Sequence, residues 1–278
     1  MKLYKVFSKG LISPFQNMKY KKGEWYTCEN FDEDKENSCS YGFYATDIEG
    51  ITYSISSDMD IYEVEVKGKS VECDTYKRRY EKIKIIRKCS KKEILSEAIE
   101  AEEKLGYKLS EAIFPIHPLH GNPRKPQKQD INNLILWASV MASVRASVWD
   151  SVWDSVGDSV WASVWASVGN SVRDSVGASV RSSVWASVRD SVMDSVGASV
   201  GAPVRSSVWD SVVAYMSGLF PNIDEWKYIK HEKGINPFKP CIDLWYRGFI
   251  PSFDGTTWRL HSGKYGATVF EIKKSDII

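Results

Sequence analysis

The sequence is poor in the residues that most often announce a chemistry. Histidine occurs four times in 278 residues. The five cysteines, Cys28, Cys39, Cys73, Cys89 and Cys241, are odd in number and scattered, and no pair has zinc-ligand spacing. That pattern suits reduced thiols better than a disulfide framework or a metal centre. No stretch reaches the roughly 18 uninterrupted apolar residues of a membrane span, and the opening MKLYKVFSKG lacks the apolar core of a secretory signal. A cytoplasmic protein with no membrane partner is therefore expected. Charge of one sign is also missing: 37 Lys and Arg stand against 36 Asp and Glu, a formal +1, which gives no basic excess for specific nucleic-acid binding. There is no Walker loop, dinucleotide fingerprint or catalytic triad order, and no cofactor is implied.

What is present is organised in three regions. Residues 1 to about 90 carry short alternating runs: LYKVF at 3–7, YGFYAT at 41–46 and IYEVEVKG at 61–68. In the last of these a period of two places Tyr62, Val64 and Val66 on one face and Ile61, Glu63 and Glu65 on the other, which predicts a half-buried antiparallel strand ending at Gly68. The pattern then changes. SKKEILSEAIEAEEKLG at 90–106 spaces Ile94, Leu95, Ala98, Ile99 and Leu105 as a helix does and closes on glycine. Pro115, Pro118, Pro123 and Pro126 follow and read as a connector.

From Trp137 to Val212 the chain repeats the tetrapeptide [WGRM]-[ADSN]-[SP]-V for 19 units without insertion, and seven of the eleven tryptophans fall within it. Two architectures compete. In an α-helix, four residues advance about 400°, so an apolar stripe drifts by about 40° per unit and circles the rod in about nine units. Nineteen units would point valines in every direction. The segment also lacks Leu, Glu, Lys and Gln and contains Pro203 and five glycines, a poor helix composition. A β-solenoid explains the strict period, with every Val turned inward.

The first position accepts Trp, Gly, Arg and Met alike, a range no close-packed interior tolerates, so it is expected to face outward. Drift within a repetitive gene explains the same variation without a function. A period of twelve sorts these residues into columns. One runs Trp137, Trp149, Trp161, Arg173, Trp185, Gly197 and Trp209; a second holds Trp153, Trp165 and Arg189; the third contains Arg181 and no tryptophan. The expected binding residues are the Trp and Arg members of that exterior. Left uncovered, such a row associates, so a homo-oligomer is expected.

After the repeat, the aromatic tail suggests a small β-rich cap, with strands near 256–261 and 267–272 and a turn signal at Asp254-Gly255. The fold expected is mixed α+β: an N-terminal α+β domain over 1–110, a proline-rich connector over 111–136, a tetrapeptide-repeat β-solenoid over 137–212 and an aromatic C-terminal cap over 213–278. Long α-helices are the alternative for the repeat.

The runs LYKVF, YGFYAT and IYEVEVKG at one end, and NPFKPCIDLWYRGFIPSFDGTTWRLHSG at the other, resemble an uncharacterised family of phage and bacterial proteins in which an N-terminal domain runs into low-complexity repeats. The resemblance covers about the first 90 and last 60 residues and implies a cap-repeat-cap plan without a known activity. Gly42-Phe43-Tyr44-Ala45-Thr46 is also similar to a strand of ADP-ribosyltransferase-like folds. That likeness implies an aromatic nicotinamide pocket and a glutamate acting on the ribose, with Glu63 or Glu65 in that role. The first strand, Leu3 to Phe7, departs from it by lacking a His or Arg.

Other candidates have plainer readings. His117 and His120 are too few ligands for a metal site; His261, near Asp254 and Arg259, lacks a nucleophile; KRRYEKIKIIRK at 77–88 reads as the solvated face of a strand or helix. Three functions follow as expectations. The first is a non-enzymatic interaction protein that holds a host protein or a small host nucleotide on its Trp/Arg face. The second is an ADP-ribosyltransferase-like enzyme with the repeat as a spacer. The third is a structural self-assembly module.

Overall fold

In the computed structural model the chain divides into two compact units, Met1–Leu105 and Gly106–Ile278. The structure describes residues 2–14, 17–37, 39–53, 59–74, 77–152, 202–223 and 231–277. The architecture is mixed α+β with antiparallel sheets.

The first unit is built on one long hairpin. Strand β4 (Asp60–Asp74) pairs antiparallel with β5 (Lys77–Lys88), and β1 (Leu3–Phe7) lies on the outer side of β4. On its other side β5 receives two short strands end to end: β2 (Trp25–Thr27) against residues 82–84 and β3 (Phe43–Ala45) against residues 78–80. An isolated bridge joins Tyr4 to Thr46, with N–H···O bonds of 2.7 and 2.9 Å in both directions, and so carries the end of β3 back to β1. The sheet curls toward itself as a result. Its concave side collects Phe7, Tyr20, Phe43, Ala45, Val64, Tyr80, Ile83 and Ile85 into one core.

The strands read at 3–7, 41–46 and 61–68 are present, the second only as Phe43–Ala45, and β4 does not stop at Gly68. Gly68 takes φ +80° at a register shift between Lys67 and Ser70, where a Cβ would sit 2.3 Å from the Glu81 carboxylate, and pairing resumes to Asp74. The helix read over 90–106 is α1 (Lys91–Leu105). Ser90 and Glu93 close a capping box: the Ser90 hydroxyl accepts from the Glu93 N–H at 3.2 Å and the Glu93 carboxylate from the Ser90 N–H at 2.7 Å.

In the second unit, α2 (Leu109–Ile113) precedes the proline-rich stretch, which is packed rather than free, since Pro118 and Leu119 are buried. Helix α3 (Lys128–Val152) starts in this stretch and runs on through the first four repeat units; α4 (Ala202–Ser217) carries the last ones. Both pack on α5 (Lys239–Tyr246), and α4 also packs on β6 (Phe249–Phe253). Strands β7 (Thr257–Ser262) and β8 (Ala267–Lys273), at the positions read from the sequence, complete a three-stranded sheet in the order β6-β7-β8.

The repeat is therefore helical wherever it is described, at 137–152 and 202–212, and the solenoid expectation is corrected there; its remaining residues, 153–201, lie outside the described residues. Two physical reasons account for the change. The drift of about 40° per unit defeats a helix of 19 units, but a few units drift less than half a turn, so one face stays inward. Burial at Leu134, Trp137, Ala138 and Met141 follows i, i+3, i+4, i+7. The serines also satisfy themselves: Ser139 and Ser211 donate to the carbonyls of Ile135 and Val208 at 3.1 and 2.7 Å. Packing against α5 and β6 then outweighs weak propensity. The two helices bury different repeat positions, the first two in α3 (Trp137, Ala138, Met141) and the last two in α4 (Ser207, Val208, Ser211, Val212).

Trp137 is 1% exposed and meets the Phe238 ring edge-on at 6.3 Å between centroids, so its first-position side chain faces inward rather than outward. Trp137→Ala is expected to destabilise the protein by about 3–5 kcal/mol in urea unfolding, whereas Trp25→Ala, at a site 38% exposed, is expected to shift the same transition far less. Equal effects would contradict this placement.

Candidate binding face

The three-residue strand β2 sits on β5 with Trp25 opposite Lys84 and Thr27 opposite Lys82; on the far side of β5, Glu65 lies opposite Lys84 and Lys67 opposite Lys82. Alternation sends Tyr26, Ile83, Ile85, Val64 and Val66 to the core. Trp25, Lys82, Lys84, Glu65 and Lys67 are thereby left together on the outer face. The strand pairing alone puts one indole among three lysines.

The side chains make use of that proximity. The ammonium groups of Lys67 and Lys84 lie over the Trp25 ring, 4.6 and 4.9 Å from its centroid, where the negative face of the π system attracts them. The Glu65 carboxylate pairs with both, at 2.5 Å to Lys84 and 3.5 Å to Lys67. Its hydrogen bond from Lys84, reinforced by the charges of both lysines, holds the carboxyl below its ordinary range. One carboxylate thus serves two ammonium groups beside an exposed aromatic ring. Such a surface can stack a flat ring on the indole and give the lysines to an anion.

The remaining sequence candidates are in structural bonds. The Glu63 carboxylate pairs with Arg87 at 2.9 Å, and Arg87 also holds Glu93 at 2.7 Å. The Tyr44 hydroxyl accepts from the Ser40 N–H at 2.8 Å and donates to the Ser40 carbonyl at 3.0 Å, while Phe43 lies in the core. Buried Arg79 donates to the carbonyls of Asn37 and Asp34, each at 2.7 Å, and so holds the acidic loop before β3. The basic run of β5 is matched along the hairpin by acids: Arg78 with Glu72 at 3.2 Å and Lys88 with Asp60 at 2.6 Å.

Burial lowers the proton affinity of His117, and His120 accepts an Arg124 contact at 3.3 Å. Among the described residues no group of three or more His, Cys, Asp or Glu gathers to hold a metal ion, and no helix is long and apolar enough to cross a membrane. His261 does have a hydroxyl beside it. The Ser252 oxygen lies 2.7 Å from Nε2, and Nδ1 lies 3.0 Å from the Gly266 carbonyl, which requires the proton on Nδ1 and makes Ser252 the donor. Both side chains are 0% exposed, so this pair joins β6 to β7 out of reach of any substrate.

Of the repeat residues expected to bind, Trp137 is buried; Trp149 and Trp209 lie on α3 and α4, with side chains outside the described ones; and Trp153, Trp161, Trp165, Arg173, Arg181, Trp185 and Arg189 lie outside the described residues. Local pattern does not single out Trp25, because GEWYT is too short to show alternation. The signal available was a single tryptophan following the lysines of KYKKGEW.

A family model of a domain of unknown function, DUF7666, matches residues 1–97. No curated protein and no solved structure matches the chain.

One buried charge in this unit has a measurable consequence. Lys5 shares the concave side of β1 with Leu3 and Phe7; its ammonium donates to the Tyr44 carbonyl at 3.0 Å, and among the described residues no carboxylate pairs with it. Burial pulls its proton affinity down to about 8, so the unfolded chain holds a proton that the folded one has shed between about pH 8 and the ordinary lysine range near 10.4. Stability gains with rising pH across that window. Lys5→Met is expected to remove the gain: its stability relative to the native chain is higher at pH 7.5 than at pH 9.5 in urea unfolding, and a difference independent of pH would refute the placement of this charge.

Proposed function

We propose that the chain is a non-enzymatic binding protein whose N-terminal unit takes a nucleotide-type ligand, a flat ring carrying phosphate, on the Trp25 face. The observation that carries this reading is the exposed indole under two ammonium groups that share one carboxylate. Each half of such a ligand has its counterpart. A base gains about 1–3 kcal/mol by stacking on an aromatic side chain. Phosphate oxygens compete with the Glu65 carboxylate for Lys67 and Lys84 and bring more negative charge to the two ammonium groups than its single charge.

The test is calorimetric titration of the full chain with adenosine, inorganic pyrophosphate and ATP. Binding is expected for ATP and not for either fragment alone at the same concentration. Trp25→Ala is expected to weaken it by tenfold or more, about 1.4 kcal/mol, and Lys67→Met with Lys84→Met to flatten its dependence on salt. ATP binding that is unchanged by Trp25→Ala, or no binding of any of the three, sinks the proposal. Trp149→Ser with Trp161→Ser and Trp185→Ser separates this face from the repeat: the variant retains ligand here and loses it if the tryptophans of the repeat carry the site.

A further inference from the structure

In the C-terminal unit three segments are locked together at one place: the proline-rich stretch, the residues just after α5, and the turn between β7 and β8. The Arg124 N–H donates to the Ser262 hydroxyl at 3.2 Å, that hydroxyl donates to the Gly248 carbonyl at 2.9 Å, and the Arg124 guanidinium donates to the Arg247 carbonyl at 3.1 Å. The Lys264 N–H donates to the Gly121 carbonyl at 2.9 Å. Gly263, at φ +76°, comes so near Pro123 that a Cβ would stand 2.6 Å from its nitrogen. The backbone of each segment therefore holds the others, and the side chains they carry share one neighbourhood.

That neighbourhood is basic and lacks acids to match. Arg124, Lys125, Lys128 and Lys264 are exposed, and among the described residues no carboxylate pairs with any of them. The acids of the surrounding elements are already engaged. Buried Asp130 is taken by Arg247, Asp243 is held by Lys239 at 2.7 Å, and Asp254 and Glu271 both bond Arg259 at 2.6 Å. The basic run of β5, by contrast, is matched by acids along its hairpin. Beside the cations, Tyr265 is 81% exposed at the tip of the turn, with the Lys264 ammonium 5.6 Å from its ring centroid. The Gly266 N–H donates to the Gly263 carbonyl at 2.9 Å and closes that turn.

We propose that this surface binds single-stranded nucleic acid without sequence preference, its phosphates on Arg124, Lys125, Lys128 and Lys264 and a base on the Tyr265 ring. A phosphodiester chain supplies one negative charge per nucleotide to cations that have none nearby, and an unpaired base gives the exposed ring a flat partner. Both features select this class of partner. A duplex offers the phosphates but keeps its base faces stacked inside, and an acidic peptide offers charge without a ring. The near-neutral charge of the whole chain does not oppose the contact, because the field that matters is local. The surface lies in the other unit from Trp25 and does not rest on the reading of that face.

The experiment is fluorescence anisotropy of a labelled oligothymidylate titrated with the full chain over a range of salt. Binding that weakens with salt is expected. Lys125→Gln with Lys264→Gln is expected to weaken it tenfold or more and to lower the slope of log affinity against log salt by about 1.4, since each phosphate contact in a single strand contributes about 0.7. Both positions are exposed, and a thermal melt checks that the variant folds. Tyr265→Ala is expected to weaken the oligonucleotide about fivefold or more, whereas Trp25→Ala leaves it unchanged. No binding of the oligonucleotide overturns the proposal, as does binding that the double lysine variant leaves intact or that Trp25→Ala abolishes. Polyglutamate bound as tightly as the oligonucleotide overturns it in favour of an acidic protein partner, and tighter binding of the same sequence as a duplex overturns it in favour of double-stranded nucleic acid.

Discussion

Everything in the N-terminal unit depends on the pairing of β4 with β5, because that hairpin decides which side chains are inside and which are out. With a period of two, one register sends Ile83, Ile85, Val64 and Val66 into the core and leaves Lys82, Lys84, Glu65 and Lys67 outside. A slip by one residue would exchange the sets. The charges reinforce the register: on the outer face Lys84 meets Glu65 and Arg87 meets Glu63, and at the end of the hairpin Lys88 meets Asp60, all at bonding distance. Each of these surface pairs contributes little alone. Together they explain why a basic run is tolerated in the middle of a sheet.

β2 is the small addition that turns this outer face into a candidate site. It is three residues long, and its burial alternates weakly. Its effect comes from position: Trp25 lands opposite Lys84, and Tyr26 goes inward against Tyr20, with ring centroids 4.8 Å apart. The same backbone step that anchors the strand in the aromatic core therefore presents the indole to the lysines. Fold and binding surface share one cause here.

In the C-terminal unit the governing contact is α5, which α3, α4 and β6 all touch. Trp245 stands in the middle of it, stacked on Tyr215 at 5.1 Å and donating its indole N–H to the Ile116 carbonyl at 2.8 Å. The Asp130 carboxylate, buried at the start of α3, accepts from the Gln127 N–H at 2.7 Å and from Arg247, just after α5. These bonds tie the proline-rich stretch, the first repeat units and the C-terminal sheet into one unit. The ends of the repeat have fixed neighbours, and those neighbours hold them as helix.

Periodicity alone was enough for the elements whose pattern is local. LYKVF, IYEVEVKG, the α1 helix with its capping serine and closing glycine, and the C-terminal hairpin are all found where alternation, helical spacing and turn residues place them, because each of those signals is written within a few neighbouring residues. The tetrapeptide repeat shows the opposite case. Its composition favoured a β-solenoid, yet the described units are helical, since helix stability there rests on α5 and β6, which lie far along the chain. The inward turn of Trp137, the gathering of Trp25 with Lys67 and Lys84, and the buried Ser252–His261 pair likewise join residues from separate elements. Amino-acid order determined which segments would be strand or helix and which residues were apolar; only the tertiary structure decided which faces met, because burial and charge pairing depend on neighbours that local pattern does not record.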